Sequence, residues 1–416
     1  MTELPFEDEH QDLLTLAKMM EAVVPPLAPR LGTWRNHLEN GLHTAASPFS
    51  AESTLDEAVL ALRHVWLEAA ASSTSKSYRS PSEGECTITP AGRFHNFGYE
   101  RDLQPTGLET RCAGFFDPPP QGWTQEHVLF SSGQAAMNAV LTLLSSRQTA
   151  PLRLRHDGCY FETVELLRLY AGDFEPTLRE SADIVIAEPT WYDGKTFGTV
   201  SLKTIAEQAG HAASIIVDST LSGLDDGLNE LLSLHGPKEV FRLHSGLKLF
   251  QAGLELADVG IVSIYGSAAG DELRRIRTLQ GSGLRFADVA ALELPVFLDS
   301  ATTRIYENAI FQHNAALAQA ARGNPALKVA YPEGRAPFVI FNLPSTSLFD
   351  GLDEKIAAEA ARRSLVFTKG GSFGFRGHRF ETVRPEGKPP FLRVALGKRK
   401  GPSLDGILEL FRTLAC

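Results

Sequence analysis

Cysteine is scarce. Only Cys86, Cys112, Cys159 and Cys416 occur in 416 residues, and no two stand in a CxxC spacing, which argues against a zinc site and against a disulfide framework. Long apolar runs are also missing. No stretch approaches about 18 uninterrupted apolar residues, so no segment is expected to span a membrane. Positive charge is not in excess. Lys and Arg number 40 against 50 Asp and Glu, and the net charge of −10 argues against nucleic acid or an anionic membrane as partner. The opening residues, MTELPFEDEHQDLL, are acidic and lack the apolar core of a secretory signal, so the expected location is cytoplasmic. No internal repeat is found, which sets solenoids and propellers aside.

What is present is the composition of an ordinary globular protein, 43% hydrophobic and 22% charged, long enough for two or three domains around a large core. Residues 9–40 and 52–72 carry helical periodicity, through Leu13, Leu14, Leu16, Ala17 and Met20, then Ala58, Val59, Ala61, Leu62 and Trp66. Residues 73–125 are polar and rich in Ser, Gly and Pro, too long for a simple loop, and read as an extended arm with a function. From Val128 the pattern changes. Short β-rich runs at 128–130, 152–154, 183–187, 214–218, 240–244 and 258–264 alternate with helical stretches. That order predicts a mostly parallel sheet with ligands at the C-terminal ends of its strands. Residues 291–323 read as one long helix or two that abut. Strands at 338–343 and 391–396 and helices at 353–363 and 404–414 suggest a smaller α/β domain.

Three strand ends carry chemistry. Ser131-Ser132-Gly133-Gln134 lies between the strand ending at Phe130 and a helix start, where free backbone N–H groups and the helix dipole favour an anion; a serine there also serves as an ordinary cap. Asp218 closes the apolar run Ile215-Ile216-Val217, and an acid there can pair with a pyridine nitrogen or simply face solvent. Lys248 follows Ser245 after a further apolar run and has apolar flanks in Leu247, Leu249 and Phe250, unlike an ordinary surface lysine. Tyr160 begins a helix and can stack on a planar group or pack in the core. Arg393, inside the strand Phe391–Leu396, can clamp a carboxylate with two parallel hydrogen bonds. An anion cradle, an acid and a lysine at strand ends are what pyridoxal phosphate (PLP) requires: phosphate at the helix start, a protonated ring nitrogen on the acid, a Schiff base on the lysine.

Four local matches resemble the Cys/Met-metabolism family of PLP enzymes, which contains cystathionine γ-synthase, the cystathionine lyases and methionine γ-lyase. Tyr99-Glu100-Arg101-Asp102-Leu103-Gln104-Pro105-Thr106 is similar to the family's Tyr-Ser-Arg-x-x-Asn-Pro-Thr, and Phe130 to Ala136 is similar to its Ser-Ser-Gly-Met-Ala-Ala turn. Val217-Asp218-Ser219-Thr220 with Ser245-Gly246-Leu247-Lys248 resembles Val-Asp-Asn-Thr with Ser-x-Thr-Lys. His313-Asn314-Ala315 through Tyr331-Pro332 is like the helix leading into the C-terminal domain. Gly370-Gly371-Ser372 and Leu392-Arg393-Val394 are similar to the closing loop and the carboxylate-binding arginine. The likeness spans about 95–416; residues 1–75 have no recognised counterpart. Leu247, Tyr160-Phe161-Glu162-Thr163 and Glu188-Pro189-Thr190-Trp191-Tyr192 depart from the pattern, with Tyr192 standing in for an asparagine on the ring hydroxyl.

The resemblance implies a fold-type-I PLP-dependent enzyme: an N-terminal helical extension (1–75), an arm contributing to a neighbour's site (76–126), a PLP-binding large α/β domain (127–290) and a helix linker with a small C-terminal α/β domain (291–416). It implies Lys248, Tyr160 and Tyr99 as catalytic residues, and Ser132, Gly133, Gln134, Tyr160, Asp218, Ser245, Lys248, Tyr99, Arg101 and Tyr192 as cofactor contacts. Arg393 and Ser372 would bind the amino-acid substrate. The expected activity is elimination or replacement at Cβ or Cγ of an amino acid in a homodimer or homotetramer with shared sites. The alternatives are an aminotransferase on the same fold, told apart by turnover to pyridoxamine phosphate, and a non-catalytic partner protein.

Overall fold

A computed structural model describes residues 6–74, 87–95, 97–156, 159–178, 182–193, 196–209, 212–234 and 239–415. Pro25 and Pro26 break the first periodic stretch, because proline cannot continue a helix from within. Glu7–Val23 and Ala28–Thr44 are therefore separate helices, followed by Pro48–Thr74. The first two bury Leu13, Leu16, Ala17 and Met20, then Leu31, Trp34 and Leu38, the spacing their sequence predicts. These helices are not an appended bundle. Their apolar faces form one core with Phe115, Phe116, Phe250, Phe286 and Phe297. Trp66 Nε1 donates to the Ala291 carbonyl at 2.8 Å, and the Arg63 guanidinium donates to the Glu255 carbonyl at 2.7 and 3.0 Å.

The polar stretch that follows is not extended throughout. Leu108, Cys112 and Phe115 fall on one helical face, and Thr106–Phe115 folds as a helix that buries them. Residues 75–86 and 96 of the expected arm, with Cys86, lie outside the described residues.

The large sheet has seven strands in the order Gln125–Phe130, Gly260–Tyr265, Glu239–Ser245, Ser214–Asp218, Ile184–Ala187, Leu152–His156 and Phe174–Pro176. Gly260–Tyr265 runs antiparallel to both neighbours; the other pairs are parallel. Ile184–Ala187 is buried at all four positions, and Ser214–Asp218 is buried up to its final acid, as expected for strands covered on both faces. Gly260 pairs with Phe130 on one side and Ser245 on the other, so three strands end at one edge. A Cβ on Gly260 would lie 2.0 Å from the Ser132 carbonyl, so only glycine lets the Ser132 turn cross that edge.

Pro295 divides the stretch 291–323 into the helices Phe286–Leu292 and Ser300–Ala321, the second capped by Asp299, whose carboxylate accepts from Thr302 N at 2.7 Å. The small domain is a five-stranded sheet in the order Lys328–Ala330, Val339–Asn342, Phe391–Ala395, His378–Val383, Phe367–Lys369. Among the described residues no helix is long and apolar enough to cross a membrane.

Candidate active site

The shared sheet edge opens into a cavity of about 340 Å³, within the range of small-molecule sites. At its floor the helix Gly133–Ser146 begins. Ser132 is its cap, with Oγ accepting from Ala135 N at 3.1 Å, and the first turn keeps the remaining N–H groups for an anion. A Cβ on Gly133 would come within 3.2 Å of the Ser245 Cβ, so this turn presses on the strand that leads to Lys248. Thr220 joins the two acidic and basic strand ends: its Oγ1 accepts from Ser245 N at 2.9 Å, while its own N–H donates to the Asp218 carboxylate at 3.0 Å.

Burial raises the Asp218 pKa above the usual carboxylate range, against the hydrogen bonds from Thr220 that lower it. Among the described residues no cation forms an ion pair with Asp218. A buried acid facing a cavity without a cationic partner suits a ligand that brings its own N–H. Burial, and then the Arg393 charge, lowers the Lys248 pKa. Its Nζ donates to Ser372 Oγ and stands 5.5 Å from the centre of the Phe373 ring.

Tyr160 precedes the helix Phe161–Leu169, and its ring centre lies 5.7 Å from that of Tyr192, forming an aromatic wall. Burial pushes both phenols up, that of Tyr192 to about 12, so both remain protonated donors at neutral pH. The Tyr160 N–H donates to Glu188 Oε1 at 2.5 Å. Burial, reinforced by the nearby Asp218 charge, holds the Glu188 carboxyl well above its usual range.

Ser132, Gly133, Gln134, Tyr160, Tyr192 and Asp218 line the cavity, as do Ser245, Lys248, Ser372 and Arg393. Tyr99 and Arg101 do not. Tyr99 is 56% exposed, and the Arg101 guanidinium lies 5.2 Å over the Tyr99 ring, outside this chain's own cavity. Arg393 lies in the cavity wall in an occupied state. Its Nη2 pairs with Glu381, the residue opposite it on the neighbouring strand, and its Nη1 lies 3.5 Å from the Tyr192 hydroxyl.

Sequence reasoning passed over Glu188, Thr220, Asp258 and Phe373 as cavity residues. Glu188 had a usable signal, since it directly follows a fully buried strand much as Asp218 ends one. Glu381 had none, because its meeting with Arg393 depends on strand register.

The residues present fit PLP: a helix start for the phosphate, a buried acid for the ring nitrogen, an aromatic wall and a desolvated lysine. No sequence-family profile matches the chain. No curated protein matches it in sequence. Solved structures do match. A methionine γ-lyase, CalE6 of Micromonospora echinospora, superposes with a TM-score of 0.56 at 19% identity, covering 80% of this chain and 90% of that one. A cystathionine γ-lyase of Lactobacillus plantarum, solved with L-serine, gives 0.56 at 17% identity over 80% and 90%. MetB of Corynebacterium glutamicum gives 0.56 at 15% identity over 81% and 91%. At these identities the likeness establishes architecture, and the chain has the fold of the γ-lyases, the fold-type-I arrangement of a large α/β domain and a small one.

Proposed function

We propose that the chain is a PLP-dependent enzyme, a divergent relative of the γ-lyases, that eliminates or replaces a group at Cβ or Cγ of an amino acid. The observation that supports this is the convergence of the Gly133 helix start, Asp218 and Lys248 on one cavity. Bound there, PLP supplies an electron sink for the bond broken at the substrate α-carbon.

The chain's residues supply the rest. The Ser132–Gln134 turn holds the phosphate with backbone N–H groups. Asp218 keeps a proton at the ring nitrogen, and its burial makes that charge-assisted bond strong. Lys248 anchors the cofactor and then moves the proton at Cα. Burial and the Arg393 charge lower its pKa, which favours the free amine this role needs. Ser372 orients that amine by accepting its hydrogen bond. Tyr160 and Tyr192 remain protonated and can donate toward a departing group. Arg393 offers a planar fork for the substrate carboxylate once Glu381 yields it. Tyr99 and Arg101 serve a second subunit's site, which makes a dimer the smallest complete enzyme.

The test is borohydride treatment of the purified protein followed by peptide mass mapping. The expected result is a visible absorption band, abolished by reduction, with a pyridoxyl mass added at Lys248. Label elsewhere, or none after incubation with PLP, overturns the reading. A screen of O-activated homoserines, thiol amino acids and halogenated amino acids for keto acid, ammonia or a substituted product then fixes the reaction.

A further inference from the structure

Within residues 371–377, Ser372 and Phe373 line the cavity from the small-domain side and lie against Lys248. This segment is held in an unfavourable backbone conformation. Ser372 has φ +70°, the left-handed region, and at Gly374, φ +82°, a Cβ would lie 2.0 Å from the Lys248 carbonyl. Such conformations persist only where the surroundings over-determine them.

The Tyr306 hydroxyl donates to the Gly374 carbonyl at 3.3 Å, and the charged part of those surroundings comes from the N-terminal helices. Arg376 is buried, and its guanidinium grips Glu9 through two bonds, Nε to Oε1 at 2.8 Å and Nη2 to Oε2 at 2.7 Å. The same Nη2 reaches Asp12 at 3.1 Å, and Nη1 donates to the Ala252 carbonyl at 3.0 Å. Although burial raises the Glu9 pKa, the Arg376 charge and hydrogen bonds hold it down at about 2, so the pair is ionised at working pH. Two further acids of these helices fix the chain leaving the small domain's central strand. Asp56 lies 2.9 Å from the Arg399 guanidinium, and Glu52 accepts from Ser403 N at 3.0 Å.

We infer that Glu9 and Arg376 are positioning residues of the active site: through them the N-terminal helices hold residues 371–377 in the shape that presents Ser372 and Phe373 to Lys248. Neither residue lines the cavity, so they act through the segment and not on substrate. A bidentate guanidinium–carboxylate pair fixes direction as well as distance, which suits it to this task better than apolar contact would. The inference rests on the proposed function for the chemistry at Lys248, but its structural half is independent of any cofactor.

The experiment has two arms. In the first, amide hydrogen exchange is compared in the purified wild-type protein and Glu9→Gln. Faster exchange confined to 370–377 is expected; unchanged exchange there overturns the inference whether or not the protein carries PLP. In the second, Glu9→Gln and Ser372→Ala are combined in a double-mutant cycle. Each alone is expected to lower kcat on the order of ten- to hundred-fold with the visible band retained. Together they are expected to do little more than one alone, because both remove the same hydroxyl placement. Fully multiplicative effects overturn it, since the pair then acts on stability by another route. Should Glu9→Gln fail to fold, Asp12→Asn, a half-exposed partner of the same guanidinium, takes its place in both arms with the same criteria. A wild-type protein without a borohydride-sensitive band removes the functional reading, and the exchange arm alone then decides the inference.

Discussion

Two acids in the cavity show how little residue type decides. Asp218 ends one buried strand and Glu188 follows another, burial raises both, and each carboxylate accepts a backbone N–H, Asp218 from Thr220 and Glu188 from Tyr160. Both line the cavity, but Asp218 is tied through Thr220 to the strand end that leads to Lys248. Under the proposed role a bond from Asp218 to a ring nitrogen would contribute roughly 1.5–3 kcal/mol, so Asp218→Asn is expected to weaken PLP retention and slow exchange of the substrate Cα hydrogen; unchanged exchange, followed by NMR in deuterated water, removes the role. Arg393 poses a second residue-scale question, because Glu381 already holds it. If the substrate carboxylate displaces Glu381, Glu381→Gln should lower KM with the cofactor spectrum intact, while Arg393→Lys should raise it by the equivalent of about 2–5 kcal/mol. Equal substrate affinity in all three proteins, measured by titrating the visible band, takes Arg393 out of the site. Lys248, Asp218 and the Ser132 turn were legible in the sequence because each ends an apolar run. The Glu381–Arg393 pair was not, since cross-strand neighbours are chosen by register.

Whole elements were legible where burial is complete. Strands such as Ile184–Ala187 and Ser214–Asp218 announce themselves as unbroken apolar runs. Phe367–Lys369 and His378–Val383 do not, because they mix Lys369, Arg379 and Glu381 with apolar positions on a half-covered sheet. Phe174–Pro176 is a three-residue edge strand, too short to leave a period. The helix Ser300–Ala321 carries a testable electrostatic feature. Burial lifts the Glu307 pKa from an ordinary 4.5 to about 7, outweighing the Leu224 N–H bond and the Arg335 charge. A carboxyl raised in the folded state favours folding in its protonated form. Its contribution is therefore full below about pH 4.5 and lost as pH rises through about 7. The loss amounts to on the order of 3 kcal/mol. Denaturant unfolding of the wild type and Glu307→Gln across that window should show the difference between their stabilities shifting in this sense. Parallel curves would place the titration elsewhere.

At the scale of the molecule, one chain supplies a cavity while Tyr99 and Arg101 remain at the surface. Mixing inactive Arg101→Ala and Lys248→Ala proteins should restore part of the activity, because one site in each hybrid dimer then has both residues. No recovery, with subunit exchange demonstrated by mass, would confine each site to its own chain. The large, mostly parallel sheet was legible from alternating strands and helices. The placement of the first helices was not, since helical periodicity gives an apolar face without naming its partner. That placement also bears on synthesis. The Glu9–Arg376 pair joins residues 367 positions apart, among the longest-range contacts the chain can make. At ribosomal rates of about 5–20 residues per second, Glu9 waits roughly 20–70 s for its partner to emerge. The first helix can meet Trp34 and its neighbours early, but its acidic end remains unmatched until nearly the whole polypeptide exists. High contact order of this kind makes closure of the molecule a late and slow event, and it exposes the nascent chain to chaperones for most of its birth.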